Sequence, residues 1–324
     1  MTPFSLVLSM KTLNDLHIAS TSHHIHESIA TLDRQMLEIL QESDSYDSLS
    51  PCLVITAANY HLSTGGQRIR AVLALHAGKC LGLSPKDTHT LAVACELLHN
   101  ASLIHDDLHD RDTHRRGQPS VWYKFGDEVA VCAGDLLLSA SYLALSQLGD
   151  VASMPKLFAL MHARIASAIR GQCADMNRPK HGIININDFK AIASTKSGAL
   201  ISLPTELVLV AAEQYLALER AREAATAFAI SYQIHDDLFD VEADVFRNSI
   251  NRVGTHQTAH HTACNIVLIL QSDPNCVDAR TEAKKMAFQH LSLAASACAD
   301  LPLHSGDALH AMCLKLQDEL ECLE

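Results

Sequence analysis

Apolar residues recur along most of the chain at three- and four-residue steps, the signature of helices that bury one face. Ile25, Ile29, Leu32, Met36 and Leu40 mark the first such stripe, over 25–42. The same period predicts helices near 70–82, 86–107, 127–148, 155–176, 198–214, 217–241, 257–272, 279–298 and 306–322. Pro51, Pro85, Pro119, Pro155, Pro179, Pro274 and Pro302 fall at or between their ends, where a missing amide proton costs least. No alternating strand and no Asn-Gly hairpin stands out. The pattern predicts an all-α, single-domain bundle of about ten helices over residues 1–324, around a central apolar cavity.

Two of these apolar runs end in nearly the same phrase. Residues 104–110 read Ile-His-Asp-Asp-Leu-His-Asp and residues 234–240 read Ile-His-Asp-Asp-Leu-Phe-Asp. Each copy sets carboxylates at i, i+1 and i+4. On a helix the i and i+4 groups stack one turn apart, with i+1 about 100° round. Asp106 with Asp110, and Asp236 with Asp240, therefore form two-carboxylate claws, with Asp107 and Asp237 at their edges. A solvated acidic face has no reason to recur with the same Ile-His before it and the same Leu within it. If the claws converge, six carboxylates resist ionising together unless divalent cations neutralise them. Hard oxygen ligands without a thiolate cluster select Mg2+, which completes its shell with water and phosphate oxygens. The expected ligand is a diphosphate.

Charge and composition narrow the partners. The net charge of −12 argues against nucleic acid, which needs a basic face. It leaves room for a diphosphate, because metals and a few arginines can build a local anion site. No run of eighteen uncharged apolar residues appears; the longest, near 136–149 and 262–272, are too short to span a bilayer. Met1 to Met10 lacks a basic region and a clear cleavage site, so no secretory signal is expected. Ten cysteines scattered singly, without Cys-x-x-Cys spacing, fit a reducing cytoplasm. His23, His24 and His26 read as solvated in a chain with twenty histidines.

Further polar groups accompany the claws in order. Gly65-Gly66-Gln67-Arg68-Ile69-Arg70 opens a helix after a turn, a place where amides and guanidinium groups meet an anion. Arg115-Arg116-Gly117 follows the first claw by five residues, so a helix ending near Asp110 returns two arginines toward it. Gly171-Gln172 and Asp175 close one predicted helix, Lys196-Ser197-Gly198 starts another, and Gln233 lies one turn before Asp237.

From about Gly65 to Asp240 these stretches resemble the trans-isoprenyl diphosphate synthases, the polyprenyl synthetase family. The resemblance rests on the first aspartate motif with Arg115 and Arg116, Gly134-Asp135, Gly171-Gln172, Lys196-Ser197, and Gln233 before the second motif. It implies an all-helical prenyltransferase, usually a homodimer, that joins an allylic prenyl diphosphate to isopentenyl diphosphate with Mg2+. On that resemblance Asp106, Asp107, Asp110, Asp236, Asp237 and Asp240 belong to the metal site, with Lys196 among the catalytic groups. Arg115, Lys196, Ser197 and Gln233 contact the allylic diphosphate. Arg70, His99 and Arg116 hold the second diphosphate, with Gln67 at the same subsite.

Departures from the family pattern carry expectations of their own. Gln67 stands where the family has lysine, which replaces a point charge with a neutral amide. Between Asp244 and Thr258 only Arg247 and Arg252 are basic, where the family carries lysines that close over the phosphates. Both departures thin the isopentenyl half of the site and predict weak affinity for that substrate. Five residues before Asp106, about 7.5 Å along the helix, stands Ala101, with Ser102 beside it and Leu98 and Cys95 deeper. The family often has a bulky aromatic there; the small residues predict C20 or longer products. Three other readings remain open: a class I terpene cyclase or diphosphate lyase using the allylic site alone, a non-catalytic partner subunit, and a His-Asp phosphohydrolase built on His105 and His109. The last is opposed by Phe239, which breaks the repeat at the position of His109.

Overall fold

The computed structural model describes residues 19–42, 52–177, 185–253 and 264–323. Two compact units divide the chain, one formed by Met1–Phe158 with Val210–Ala212 and the other by Ala159–Leu209 with Glu213–Glu324. The all-α expectation holds: the described residues form thirteen α-helices and one two-residue hairpin.

The first unit holds α1 (Ala19–Glu42), α2 (Leu53–Ser63), α3 (Ile69–Cys80), α4 (Pro85–Asp110), α5 (Val121–Phe125) and α6 (Asp127–Ser146). Its spine is α4. Ser84 caps that helix by accepting from the Asp87 amide at 3.0 Å, and Pro85 takes the first position, where it loses no hydrogen bond. Leu91, Val93, Leu97, Leu98 and Ile104 are buried along it with alanines between them, so α6 and α3 pack closely against α4. The helix stops because Arg111 turns left-handed, and the Asp112 amide returns 3.0 Å to the Asp107 carbonyl. Leu32, Met36 and Leu40 of the first stripe are fully buried on α1.

The second unit holds most of α7 (Met154–Asn177), then α8 (Ile186–Ala193), a π turn at Ser194–Gly198, α9 (Ala199–Ala211), α10 (Leu218–Val253), α11 (Ile266–Gln271), α12 (Ala279–Ala299) and α13 (Asp307–Glu321). Here α10 is the spine. Ala221, Ala224, Ala225, Phe228, Ala229, Ile234 and Leu238 are buried, several of them against α12. The Ser231 hydroxyl donates 2.9 Å to the Ala287 carbonyl, fixing the crossing of the two helices.

Four sequence expectations need correction. A hairpin is present: β1 (His114–Arg115) pairs antiparallel with β2 (Gln118–Pro119) across a two-residue turn. Arg116 and Gly117 both have positive φ there, the geometry that matches strand twist without an Asn-Gly pair. The α2 and α8 helices are not predicted by the apolar period, being eleven and eight residues long. The fourth is that α10 runs on to Val253 instead of ending near 241. Of the 257–272 prediction, 264–272 is described, and helix begins only at Ile266. The side chains of His23, His24, His26, Arg247 and Arg252 lie outside the described residues. One described helix, α6, is long and apolar enough by composition to cross a membrane.

Candidate active site

In the first unit the last turn of α4 presents the first aspartate motif unevenly. Asp110 is exposed and Asp106 partly so, whereas Asp107 is fully buried. The hairpin brings Arg115 back, and its Nε donates 2.8 Å to Asp107 Oδ1, with Nη2 on the same oxygen. Burial pushes the Asp107 carboxyl up to about 6 while Arg115 pulls the other way. The neighbouring guanidinium turns elsewhere. Arg116 donates to the Gly65 carbonyl and, at 3.4 Å, to Thr64 Oγ1; burial first, then Arg68 and Arg115, bring it down to about 10.

Behind that turn Arg68 is buried in a left-handed conformation, costly for a non-glycine residue. Three contacts hold it: Nε donates to Asp33 Oδ1 at 2.8 Å, Nη2 to the Leu62 carbonyl at 3.3 Å, and Nη1 lies 3.8 Å from Glu96 Oε2. Glu96 also accepts from the Ala71 amide at 3.0 Å, anchoring the start of α3. Arg70, Arg115, Arg116 and His61 are the charged and titratable groups that bear on His99, whose pKa is held well below the usual histidine range by burial and those cations. Gln67 stands partly exposed at the same turn. Arg70, His99 and Arg116, assigned by resemblance to one subsite, do come together. On the deeper face of α4, Leu98 and Ala101 are buried and the Ser102 hydroxyl donates 2.8 Å to the His99 carbonyl.

Gly134 explains its place in the pattern: a side chain there would collide with His105, its Cβ falling 2.2 Å from Nε2. That imidazole stands 3.4 Å from the Val131 carbonyl and 3.6 Å from Asp135 Oδ1, so His105 belongs to the contact of α4 with α6.

In the second unit the other motif divides in the same way by different means. Asp236 and Asp240 are partly exposed, while Asp237 is buried. Both Asp237 oxygens accept from the protein: Oδ1 from Gln233 Nε2 at 2.9 Å and Oδ2 from the Ile266 amide at 2.7 Å. Asn265 Nδ2 donates 2.7 Å to the Asp237 carbonyl, so the start of α11 is bound to the motif. Asp236 is pushed up by burial, against the pull of His235, whose Nδ1 stands 3.3 Å away. Glu319 of α13 lies 3.8 Å from His235 Nε2 and is itself paired with Lys315 at 3.4 Å.

Lys196 and Ser197 sit in the π turn and not at the start of a helix, and such turns gather at functional sites. Gly171 lets that turn press on α7: a Cβ there would fall 2.5 Å from the Lys196 amide nitrogen. Lys196 Nζ reaches Asp175 Oδ2 at 3.2 Å.

Among the described residues no three metal-ligating side chains form a closed cage. The donor chemistry still fits Mg2+, which takes one or two carboxylates and draws its other ligands from water and phosphate. Asp106 with Asp110, and Asp236 with Asp240, are accessible carboxylate pairs one turn apart. Asp33, Glu96, His61, Asn265 and Glu319 are site neighbours that the sequence reading missed. Only Asn265 had a readable signal, as an N-cap residue directly before the apolar run Ile266–Leu270.

A polyprenyl synthetase family profile matches residues 52–292. The chain belongs to the polyprenyl synthetase family. Membership agrees with the trans-prenyltransferase class expected from the motifs. It is 30% identical over 274 residues to the farnesyl diphosphate synthase of Bacillus subtilis, covering 81% of this chain and 90% of that protein. A short chain isoprenyl diphosphate synthase of Methanothermobacter thermautotrophicus is 30% identical over 205 residues, 62% of each chain. The geranylgeranyl pyrophosphate synthetase structure from Pyrococcus horikoshii superposes with a TM-score of 0.75 at 22% identity, covering 91% of this chain and 97% of that one. At that identity it bears on the fold alone, which is that of the all-α isoprenoid synthases.

Proposed function

We propose that this polyprenyl synthetase is Mg2+-dependent, ionises an allylic prenyl diphosphate and joins it to isopentenyl diphosphate, giving a trans product of C20 or longer. The observation that carries the reading is the shared division of the two motifs: in each, the outer aspartates are accessible and the middle one is buried and held by protein donors. Asp106 with Asp110, and Asp236 with Asp240, would each hold Mg2+, and Asp107 and Asp237 keep their own pairs in place. Bound Mg2+ supplies Lewis-acid stabilisation of the departing diphosphate. Lys196 leaves Asp175 to meet the same developing charge, joined by Ser197, with Gln233 steadying Asp237. Arg70, His99 and Arg116 receive the second diphosphate.

The relatives' names cover both farnesyl and geranylgeranyl synthases, so product length rests on this chain's residues. Ala101 and Ser102 leave the deep face of α4 without a bulky stop. A homodimer fits α6, where the apolar Val131 and Leu143 leave about two-fifths of their surface exposed. Ten free thiols suit a cytoplasmic setting.

Product analysis with each allylic starter tests the reading. Elongated diphosphates should form only when isopentenyl diphosphate and Mg2+ are both present, chelation should abolish them, and Ala101→Phe should shorten them. The neutral Gln67 favours one competing reading, the diphosphate lyase. A hydrocarbon or alcohol formed from the allylic substrate alone would decide for it.

A further inference from the structure

His61 belongs to no motif of the sequence, yet it is buried within the cationic cluster of the first unit. It is 2% exposed, on the last turn of α2. Its Nε2 and the Nδ1 of His99 are both buried without a hydrogen-bond partner, an arrangement that is unfavourable unless a ligand or water completes it. Groups from every neighbouring element bear on this pair. Arg68 and Arg70 come from α3, and Glu96, His99 and Asn100 from α4. Arg115 and Arg116 come from the hairpin. From α1, Asp33 is paired with Arg68 at 2.8 Å. Lys124 of α5 stacks 3.6 Å over the adjacent Tyr60 ring, and the acidic groups of α6, Asp127, Glu128 and Asp135, are exposed. Cations therefore dominate around the two imidazoles.

We propose that His61 is a further binding residue for the second diphosphate: an anion seated against Arg70, His99 and Arg116 brings a proton onto the His61–His99 pair, supplying on demand the charge that Gln67 does not. The physical basis is a reversal of field. Empty, the pair is neutral; burial, Arg116, Arg115 and Arg68 hold His61 down at about 3. A bound diphosphate neutralises the guanidinium groups and adds negative charge beside the rings, so both causes of the depression weaken together. The proton comes from solvent, no bond is made or broken elsewhere, and the imidazolium then donates from both ring nitrogens. The inference rests on the second-diphosphate subsite proposed above.

Calorimetric titration of isopentenyl diphosphate, without Mg2+ or allylic substrate, tests it in two buffers of different ionisation enthalpy. Wild type should take up about half a proton or more per anion at pH 7.5, with affinity weakening up to about tenfold per pH unit above that. His61→Gln, neutral at every pH, should bind with clearly smaller uptake and a flatter profile. Gln67→Lys, which restores a fixed charge without touching the buried pair, should bind more tightly with less uptake. Binding without proton exchange, or equal uptake in wild type and His61→Gln, overturns the role of His61 and leaves the two-substrate reading standing. No binding at all overturns both.

Discussion

Nearly the same heptapeptide is embedded in different surroundings in the two units. At the end of α4 the buried middle aspartate is held by a guanidinium, in a neighbourhood of four arginines. In the middle of α10 its counterpart accepts from a neutral amide and a backbone N–H. A charged clamp and a neutral clamp thus produce the same outcome, two accessible carboxylates flanking a buried one. The difference lies in what each clamp brings with it. Arg115 ties its motif to the hairpin and the cationic cluster, whereas the Ile266 amide ties the other motif to α11.

The outer aspartates should be equivalent despite these surroundings. Asp106→Asn and Asp236→Asn are each expected to lower kcat about 100- to 1000-fold, measured at saturating substrate and Mg2+. A large inequality would break the parallel between the motifs. The clamps should not be equivalent. Arg115→Ala strands a buried carboxylate and should cost about 3 kcal/mol. Gln233→Ala removes one neutral hydrogen bond and should cost about 1 kcal/mol. Urea denaturation of the two variants compares them, and equal losses would mean that the charge on Arg115 adds nothing.

Acid sharpens the contrast further, because only the first unit holds His61, lowered to about 3, and His99, also lowered. Their unfolded forms bind protons near the ordinary histidine value, so the stability they contribute is fully present above about pH 6.5 and falls as pH drops toward 3. Each such group gives a slope of about 1.4 kcal/mol per pH unit below 6.5. Asp107 works in the opposite sense. Raised to about 6, its ionised form destabilises above that pH and is relieved as pH falls from 6 toward 3.8. With three lowered histidines, His61, His99 and His290, against two raised aspartates, Asp107 and Asp236, the melting temperature should fall from pH 6.5 to 5, and His61→Gln should fall less steeply.

The long helices were legible because α4, α10 and α12 each carry a buried stripe repeated over many turns. The elements that escaped are those too short to show a period. α8 has only eight residues, although its capping box at Asn185 and Asp188 is a readable start signal. The hairpin has two residues per strand, and its turn is formed by Arg116 and Gly117, with no asparagine to mark it. At the site, repetition revealed the triplets but could not rank their members. The ranking depends on Arg115 returning through a hairpin and on a backbone amide 29 residues beyond Asp237. Glu96 and His61 were hidden for another reason: inside apolar helical runs, a single polar residue looks the same whether it faces water or a buried cation.

The two-residue turn at Arg116-Gly117 has a consequence for which changes the chain can accept. Adjacent arginines leave it for different destinations, Arg115 for Asp107 and Arg116 for the Gly65 carbonyl, and only the count of residues between α4 and β2 keeps those addresses apart. Substitutions in this connector are tolerable wherever the two guanidinium groups survive. A single inserted or deleted residue is not, since it would send each arginine to the wrong recipient while leaving the composition almost untouched.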